Sequence, residues 1–212
     1  GIIDAARSKP AAPAAPARPA ANGANYSKLF HGTPLPFDKF ELGDRNEHGG
    51  AGYDHQGRAI YLTNDGHGYG RFFAREAGSK LGLMLHMQGK KEESRKVFDG
   101  DGHVLQVKLK DDARILEIAD APKDIKQLFA TSVGNTEVGK KLRQAVIDAG
   151  YDGIAFQEPN FPEGWQTKAK AKTVAIYNPD ATEIVGHRPA NDYRLPSDHP
   201  YWDGGASPLE TT

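Results

Sequence analysis

Two short phrases carry the residues of this chain whose types and spacing are best suited to chemistry. The first is LFHGT, residues 29–33, and the second is AIYLTN, residues 59–64. Each is an apolar, strand-like run that presents one polar ring, His31 or Tyr61, beside small or hydroxylated residues. An imidazole forms hydrogen bonds, a phenol ring stacks on planar groups, and Gly32 allows a ligand to approach the backbone closely. The two phrases together indicate a ligand-binding site in which both rings face one shared crevice.

A third phrase, TVAIY at residues 173–177, is another apolar strand pattern and is followed by Asn178-Pro179. In order and spacing, the three phrases resemble the nucleotide-binding core of ADP-ribosyltransferases of the diphtheria-toxin and poly(ADP-ribose) polymerase branch, over residues 26–186. Members of that branch carry a His, a Tyr and a variable third residue on three strands. The resemblance implies an α+β fold in which two packed, mostly antiparallel sheets form a central NAD cleft with flanking helices.

The resemblance implies a role for each matching residue. His31 would hydrogen-bond the adenosine ribose of NAD, Gly32 and Thr33 would belong to the same NAD-binding set, and Tyr61 would stack on nicotinamide. A second stacking ring is expected eleven positions later, at Phe72. Two plainer interpretations stay open: His31 as a strand-end histidine capped by a neighbouring carbonyl, and both aromatic rings as ordinary core residues.

The third motif position departs from the family, because Thr173 stands where the toxins and polymer-forming enzymes carry Glu. That carboxylate steadies the positive charge that develops when nicotinamide leaves the ribose, as at sugar carbons in glycoside hydrolysis. A threonine hydroxyl forms a hydrogen bond but supplies no negative charge. Either another acid takes part, for which Glu163 is the candidate, or the domain binds without catalysing.

The loop before the third strand, residues 157–171, occupies the place where the family recognises its acceptor. It offers Phe161 and Trp165, and exposed aromatic residues on a loop favour a binding role. Packing of Trp165 back onto the domain is the alternative. Arg58 is a candidate for the pyrophosphate of NAD, since a guanidinium suits phosphate oxygens; ordinary surface charge explains it equally well.

Three histidines in and after the glycine-rich loop are weak candidates for a metal site. Their spacing matches no zinc pattern, no cysteine assists, and the loop around them is rich in glycine; these histidines are His48, His55 and His67. The resemblance implies NAD, as substrate, and the histidine spacing predicts no metal.

Composition and charge limit the kinds of partner and of site that the chain is expected to have. The chain has 212 residues, a formal net charge of −1 and no cysteine. A near-zero charge gives no bulk attraction to nucleic acid or to an anionic membrane, so neither is an expected partner. Without cysteine there are no disulfides, thiolate metal sites or cysteine nucleophiles. No run of about 18 apolar residues is present that could cross a bilayer.

The pattern along the chain divides it into three parts. Residues 1–25 form an Ala/Pro-rich linker, residues 26–187 the folded domain, and residues 188–212 a tail. No Gly-x-Gly-x-x-Gly precedes a helix, so a Rossmann mode of NAD binding lacks support. Residues 80–98 fit neither element type. The remaining pattern predicts strands at 27–32, around Tyr61, and at 103–110, 114–118, 154–156, 173–177 and 182–186, and helices at 69–77, 122–131 and 136–149.

The function expected from the resemblance is mono-ADP-ribosylation of a protein, with release of nicotinamide. The linker and the compact size are typical of a bacterial effector or toxin secreted into the cytoplasm of a host cell, with ubiquitin or a signalling protein among the conceivable acceptors. Two alternatives stay open. One is a catalytically silent NAD- or protein-binding module, and the other is a transferase acting on nucleic acid.

Overall fold

Strands form where apolar residues alternate with polar ones or run uninterrupted, as the sequence pattern predicts. The computed structural model describes residues 18–42, 58–66, 70–100, 102–132, 135–157 and 172–193. Seven strands in these ranges form one sheet of order β4-β5-β6-β2-β1-β3-β7, antiparallel throughout except for the parallel pair β4/β5. The strands are β1 Leu29–Thr33, β2 Ile60–Thr63, β3 His103–Leu109, β4 Ile115–Glu117, β5 Gly153–Gln157, β6 Lys172–Ile176 and β7 Thr182–Pro189.

Within the described residues, four α-helices accompany the sheet and confirm an α+β class. They are α1 Arg71–Met87, α2 Lys91–Gly100, α3 Lys123–Ser132 and α4 Thr136–Asp148. The helix predicted at 69–77 is longer than expected, and the unassigned stretch 80–98 supplies the rest of α1 and most of α2. Gly89, at φ +79°, makes the turn between these two helices.

The predicted end of α4 is confirmed. Gly150 lies at φ +86°, a left-handed conformation that favours glycine, and its N–H donates to the carbonyl of Ile147 at 2.8 Å. At the other end, the side chain of Asn135 accepts a hydrogen bond from the N–H of Val138 at 3.2 Å. Both caps satisfy backbone groups that a helix terminus leaves unpaired.

Apolar side chains pack on both faces of the sheet. One face is covered by none of the α-helices in the described ranges and is called the helix-free face; its cluster includes Leu29, Phe40, Ile60, Leu62, Leu105 and Val174. The helix-covered face carries two clusters. Phe30 and Val104 pack with Ala74 of α1 and with Ala190, whereas Ile125, Leu142 and Val146 of α3 and α4 pack on Ile154, Phe156 and Ala175. On this face, β2 therefore lies between the two helix pairs.

The centre of the sheet has one weakly paired boundary. β1 pairs with β3 along its whole length, from Leu29 to Thr33, and β2 pairs with β6 from Ile60 to Thr63. β1 and β2 share only the register pair Phe30–Thr63. The expected two packed sheets are thus seen as one hydrogen-bonded sheet of two halves, β4-β5-β6-β2 and β1-β3-β7.

Both ends of the folded body extend beyond the predicted boundaries. In the predicted linker, the side chain of Asn22 brackets the backbone of Ile115, accepting from its N–H at 2.8 Å and donating to its carbonyl at 2.9 Å. At the other end, β7 continues to Pro189 and a 3-10 turn follows at residues 190–193. In the described part of the chain, no helix combines the length and apolar character needed to span a membrane.

Candidate functional site

His31 lies on the helix-free face, where it is enclosed by aromatic rings. Its ring makes edge contacts with Phe40 and Phe37, at centroid distances of 5.1 and 6.1 Å. Its Nδ1 lies 2.8 Å from the backbone oxygen of Tyr61. A carbonyl can only accept, so Nδ1 carries the hydrogen and donates it. Burial lowers the pKa of His31, which favours the neutral imidazole.

This contact is the strand-end histidine capped by a neighbouring carbonyl that the sequence left open. It lies where β1 and β2 lose their backbone pairing, one residue beyond the single pair Phe30–Thr63. The imidazole therefore supplies a cross-strand hydrogen bond that the two backbones do not make there. Through it, His31 fixes the backbone of Tyr61.

Tyr61 presents its side chain to the opposite face from His31. It is paired with Ala175 and packs against the cluster under α3 and α4, whereas His31 is paired with Leu105 of the helix-free face. Side chains alternate between faces along a strand, so neighbouring backbones bring these two rings close without placing them in one crevice. The two rings do not form the shared crevice that the motif spacing suggested.

Gly32 contributes to packing rather than to an open surface. A Cβ atom added there would lie 2.3 Å from the amide nitrogen of Ala74 and 2.6 Å from the carbonyl oxygen of Gly70. The close approach that this glycine permits is therefore made by the start of α1. The neighbouring Thr33 is buried, and its hydroxyl donates to the carbonyl of Leu35 at 2.9 Å.

Thr173 and Tyr61 are brought together on the helix-covered face. Thr173 pairs with Thr63 across β6/β2, and Tyr61 pairs with Ala175 two residues further along β6. Residues in this diagonal relation are within reach of a long or aromatic side chain. Thr173 is 5% exposed and Tyr61 is half-buried, so the tyrosine is the more accessible of the two.

The start of α1 borders this part of the face. Gly70, the residue before Arg71, already has helical backbone angles, and its N–H donates to the carbonyl of Asp65 at 2.8 Å, so a helical turn leads into α1. Phe72 belongs to the first turn of α1; its side chain lies outside the described part of the structure.

The other predicted site residues differ in what the structure describes. Arg58 is half-buried just before β2, and its side chain or backbone already interacts with another group of the protein. The candidate acid Glu163 and the loop aromatics Phe161 and Trp165 lie outside the described residues, as do the histidines His48, His55 and His67. Within the described ranges, no group of three or more His, Cys, Asp or Glu is arranged to hold a metal ion.

One polar cluster was missed by the sequence analysis. Oε1 of Glu117, at the end of β4, accepts from the hydroxyl of Tyr26 and from the ammonium of Lys172, each at 2.5 Å. Burial together with this carboxylate raises the pKa of Tyr26. Asn64 accepts a hydrogen bond from the N–H of Lys172 at 2.8 Å. All four residues line an open cavity of about 320 Å³.

The signal for this cluster was weak in the sequence. Lys172 directly precedes Thr173, and Glu117 lies near the end of a predicted strand, but the two are 55 positions apart. Only the adjacency of β4, β5 and β6 brings them together. The cluster ties the segment before β1 to the beginning of the strand that carries Thr173.

Comparison with protein-family models, with curated proteins and with solved structures finds no match to this chain.

Proposed function

We propose that this protein is a mono-ADP-ribosyltransferase that transfers ADP-ribose from NAD to a protein and releases nicotinamide. The observation that carries the proposal is the adjacency of the three motif strands. Residues 31, 61 and 173 are far apart in sequence, yet β1, β2 and β6 lie side by side in the middle of the sheet. Nothing in the spacing of the phrases requires that arrangement, whereas a common nucleotide site does.

In this proposal NAD lies on the helix-covered face, between α1 and the α3/α4 pair. Tyr61 stacks on nicotinamide, and such an offset stack contributes about 0.5–1.5 kcal/mol beyond the buried area. Phe72, in the first turn of α1, is the candidate for the second stacking ring, and Arg58 is the candidate for the pyrophosphate. The same proposal includes the ADP-ribosyltransferase fold, in which the dinucleotide lies where the two halves of the sheet, β4-β5-β6-β2 and β1-β3-β7, separate.

His31 acts in this scheme through Tyr61 rather than on NAD. Its Nδ1–H holds the carbonyl of Tyr61 at 2.8 Å, at the position where the backbone ladder between β1 and β2 has ended. A half-buried, neutral imidazole enclosed by aromatic rings keeps this donor fixed. It is a positioning residue, because it sets the backbone that carries the stacking ring.

The reaction breaks the bond between nicotinamide and the ribose carbon and forms a bond from that carbon to a nucleophile on the acceptor. The acceptor's proton is lost, and the ribose passes through a state with oxocarbenium character. Thr173 can orient a ribose hydroxyl by a hydrogen bond but cannot offset the positive charge. The negative charge that offsets it comes from Glu163 or from a carboxylate of the acceptor itself.

The acceptor is proposed to be a host protein, bound by Phe161 and Trp165 in the loop 157–171. Secretion into a host cell, and ubiquitin or a signalling protein as acceptor, rest on the resemblance to bacterial effectors alone.

Labelling with radioactive NAD in a host-cell lysate tests the proposal. Wild-type protein is expected to label protein bands, and Tyr61→Ala is expected to abolish labelling while Tyr61→Phe, which keeps the ring, retains it. His31→Ala should also lose labelling because Tyr61 is no longer held. Circular dichroism confirms that each variant folds. Full activity in both alanine variants would refute the site, and wild-type activity in Glu163→Ala would eliminate that acid.

A catalytically silent NAD- or protein-binding module is the second candidate, favoured by Thr173. The hydroxyl supplies no charge for the cation, and its side chain is 5% exposed. Calorimetry with NAD separates the two functions: binding without labelling supports the silent module. Label in nuclease-sensitive material would support a transferase acting on nucleic acid, against which the net charge of −1 argues.

A further inference from the structure

The hairpin of α1 and α2 leaves apolar side chains uncovered. Leu83, Met84 and Met87 are 56%, 48% and 79% exposed, and they lie on one side of the C-terminal half of α1. Residues at these spacings on a helix are neighbours on its surface. We call these three residues the apolar stripe. Isolated exposed apolar residues are ordinary, but three adjacent large ones on a helix indicate a binding surface.

The stripe is held away from α2 by a specific contact on the other side of α1. The hydroxyl of Ser94, which is 2% exposed, donates to the carbonyl of Gly82 at 2.7 Å. Gly82 is itself buried, so α2 packs closely at this point. Because α2 is seated there, the side of α1 that carries Met84 and Met87 stays uncovered by α2.

The helical hairpin that carries the stripe contains more basic than acidic residues. Residues 80–97 contain five Lys or Arg and two Glu, whereas the whole chain has a formal net charge of −1. Lys90 and Lys91 follow Gly89 directly and are exposed, and a Cβ added at Gly89 would meet nothing within 4 Å. We call Gly89, Lys90 and Lys91 the basic turn. Arg95 is paired with Glu92 at 3.2 Å. The tip of the hairpin is therefore an exposed apolar stripe next to a basic turn.

We propose that the apolar stripe and the basic turn bind the surface of an anionic lipid bilayer. The side chains of Leu83, Met84 and Met87 insert at the boundary between the lipid head groups and the acyl chains. Lys90 and Lys91 approach the lipid phosphates. An apolar helix face combined with basic residues is the arrangement that interfacial helices use, and each of the two signals alone binds weakly. This inference is independent of the proposed NAD chemistry, and it revises the expectation from bulk charge that no membrane is involved.

Two other occupants fit the observations less well. A second copy of the chain would bring Lys90 and Lys91 of both copies together, and like charges repel at short range. A stable protein–protein interface uses roughly 20–30 residues a side, far more than three side chains. An anionic bilayer meets both the apolar and the basic part of the surface.

Sedimentation of the full chain with lipid vesicles tests the proposal. Vesicles of phosphatidylcholine mixed with about one third phosphatidylserine are expected to pellet the protein, and vesicles of phosphatidylcholine alone to leave it in solution. The charge-reversed variant Lys90→Glu/Lys91→Glu should weaken binding at least about 25-fold, since each cation near such a surface contributes about 5-fold. The variant Leu83→Gln/Met84→Gln/Met87→Gln should weaken it at least about tenfold.

Matched controls carry the same changes elsewhere. Lys123→Glu/Lys126→Glu alters two exposed lysines of α3, and Ile147→Gln alters an exposed apolar residue of α4. Both should bind anionic vesicles more tightly than either test variant, with the apolar control equal to wild type. Failure of the wild type to pellet with anionic vesicles overturns the proposal, as do equal losses in test and control variants. A change in oligomeric state of the triple variant on size exclusion would assign the stripe to self-association and also overturn it.

Discussion

Replacement of Gly32 by alanine separates two roles for this glycine. If Gly32 serves ligand approach, Gly32→Ala leaves stability unchanged and affects NAD binding alone. The structure instead places its Cβ position 2.3 Å from the nitrogen of Ala74, 2.6 Å from the oxygen of Gly70 and 2.8 Å from the carbonyl carbon of Phe73. All three are backbone atoms, so no side-chain rotation can relieve the overlap.

The magnitude follows from how far the helix must move. Ordinary contact with a Cβ begins at 3.4 Å, so α1 must retreat from 2.3 Å by about 1 Å at Ala74. That displacement also loosens Ala74 against Phe30 and Val104, the apolar cluster beneath α1. Overpacking of this kind costs about 1–3 kcal/mol, and the backbone contacts here put the expected cost near the upper end, about 3 kcal/mol.

Urea unfolding followed by circular dichroism measures the effect. With an m value of about 1–3 kcal/mol/M, the midpoint of Gly32→Ala should fall by at least about 1 M. Gly186→Ala is the matched control, because its Cβ would meet only the side-chain oxygen of Gln106 at 3.3 Å, and its change in unfolding free energy should stay within about 0.5 kcal/mol. An unchanged midpoint for Gly32→Ala would refute the packing of α1 on β1.

Three further predictions concern stability. Burial lowers the pKa of His31 in the folded state below the unfolded value of about 6.5, so the unfolded chain binds more protons, and folding free energy is lost as the pH falls from about 7 towards the lowered folded pKa. His31→Asn keeps a donor for the Tyr61 carbonyl and removes this titration, so its urea midpoint should depend less on pH; an unchanged pH dependence would contradict the assignment. Gly150→Ala should lower the unfolding free energy by about 1 kcal/mol because φ is +86° there, and an equal midpoint in urea would exclude the described helix end. Tyr26→Phe removes the hydrogen bond to Glu117 and should cost about 1 kcal/mol in thermal or urea unfolding, whereas no change would show that this contact contributes nothing.

Much of the fold could be predicted from the sequence because its signals are local. The alternation at 103–109 and the helical spacing of Leu142 and Val146 reflect burial on one face, which leaves a periodic record. The full length of α1 left no such record, since its C-terminal half exposes Leu83, Met84 and Met87 where a polar face was expected. For that reason the sequence pattern predicted no secondary structure for residues 80–98.

The geometry of the candidate site depended on information that the sequence does not carry. The motifs predicted which strands belong together, and β1, β2 and β6 are indeed adjacent. They did not predict which face each side chain takes, because a shift of one residue in strand register exchanges the faces. Hence His31 and Tyr61 were expected in one crevice and lie on opposite faces. Likewise, the sequence does not show whether a glycine such as Gly32 allows close approach of a ligand or close packing of a helix.

Titration of NAD into isotopically labelled protein, followed by NMR, tests the central claim most directly. The account predicts that amide shifts change at Tyr61, at Thr173 and in the first turn of α1 around Phe72. Residues Phe37 and Phe40, beneath the opposite face, should change little. Saturable changes confined to the helix-covered face would support a dinucleotide site there. Changes confined to Phe37 and Phe40, or none at any NAD concentration, would contradict the account.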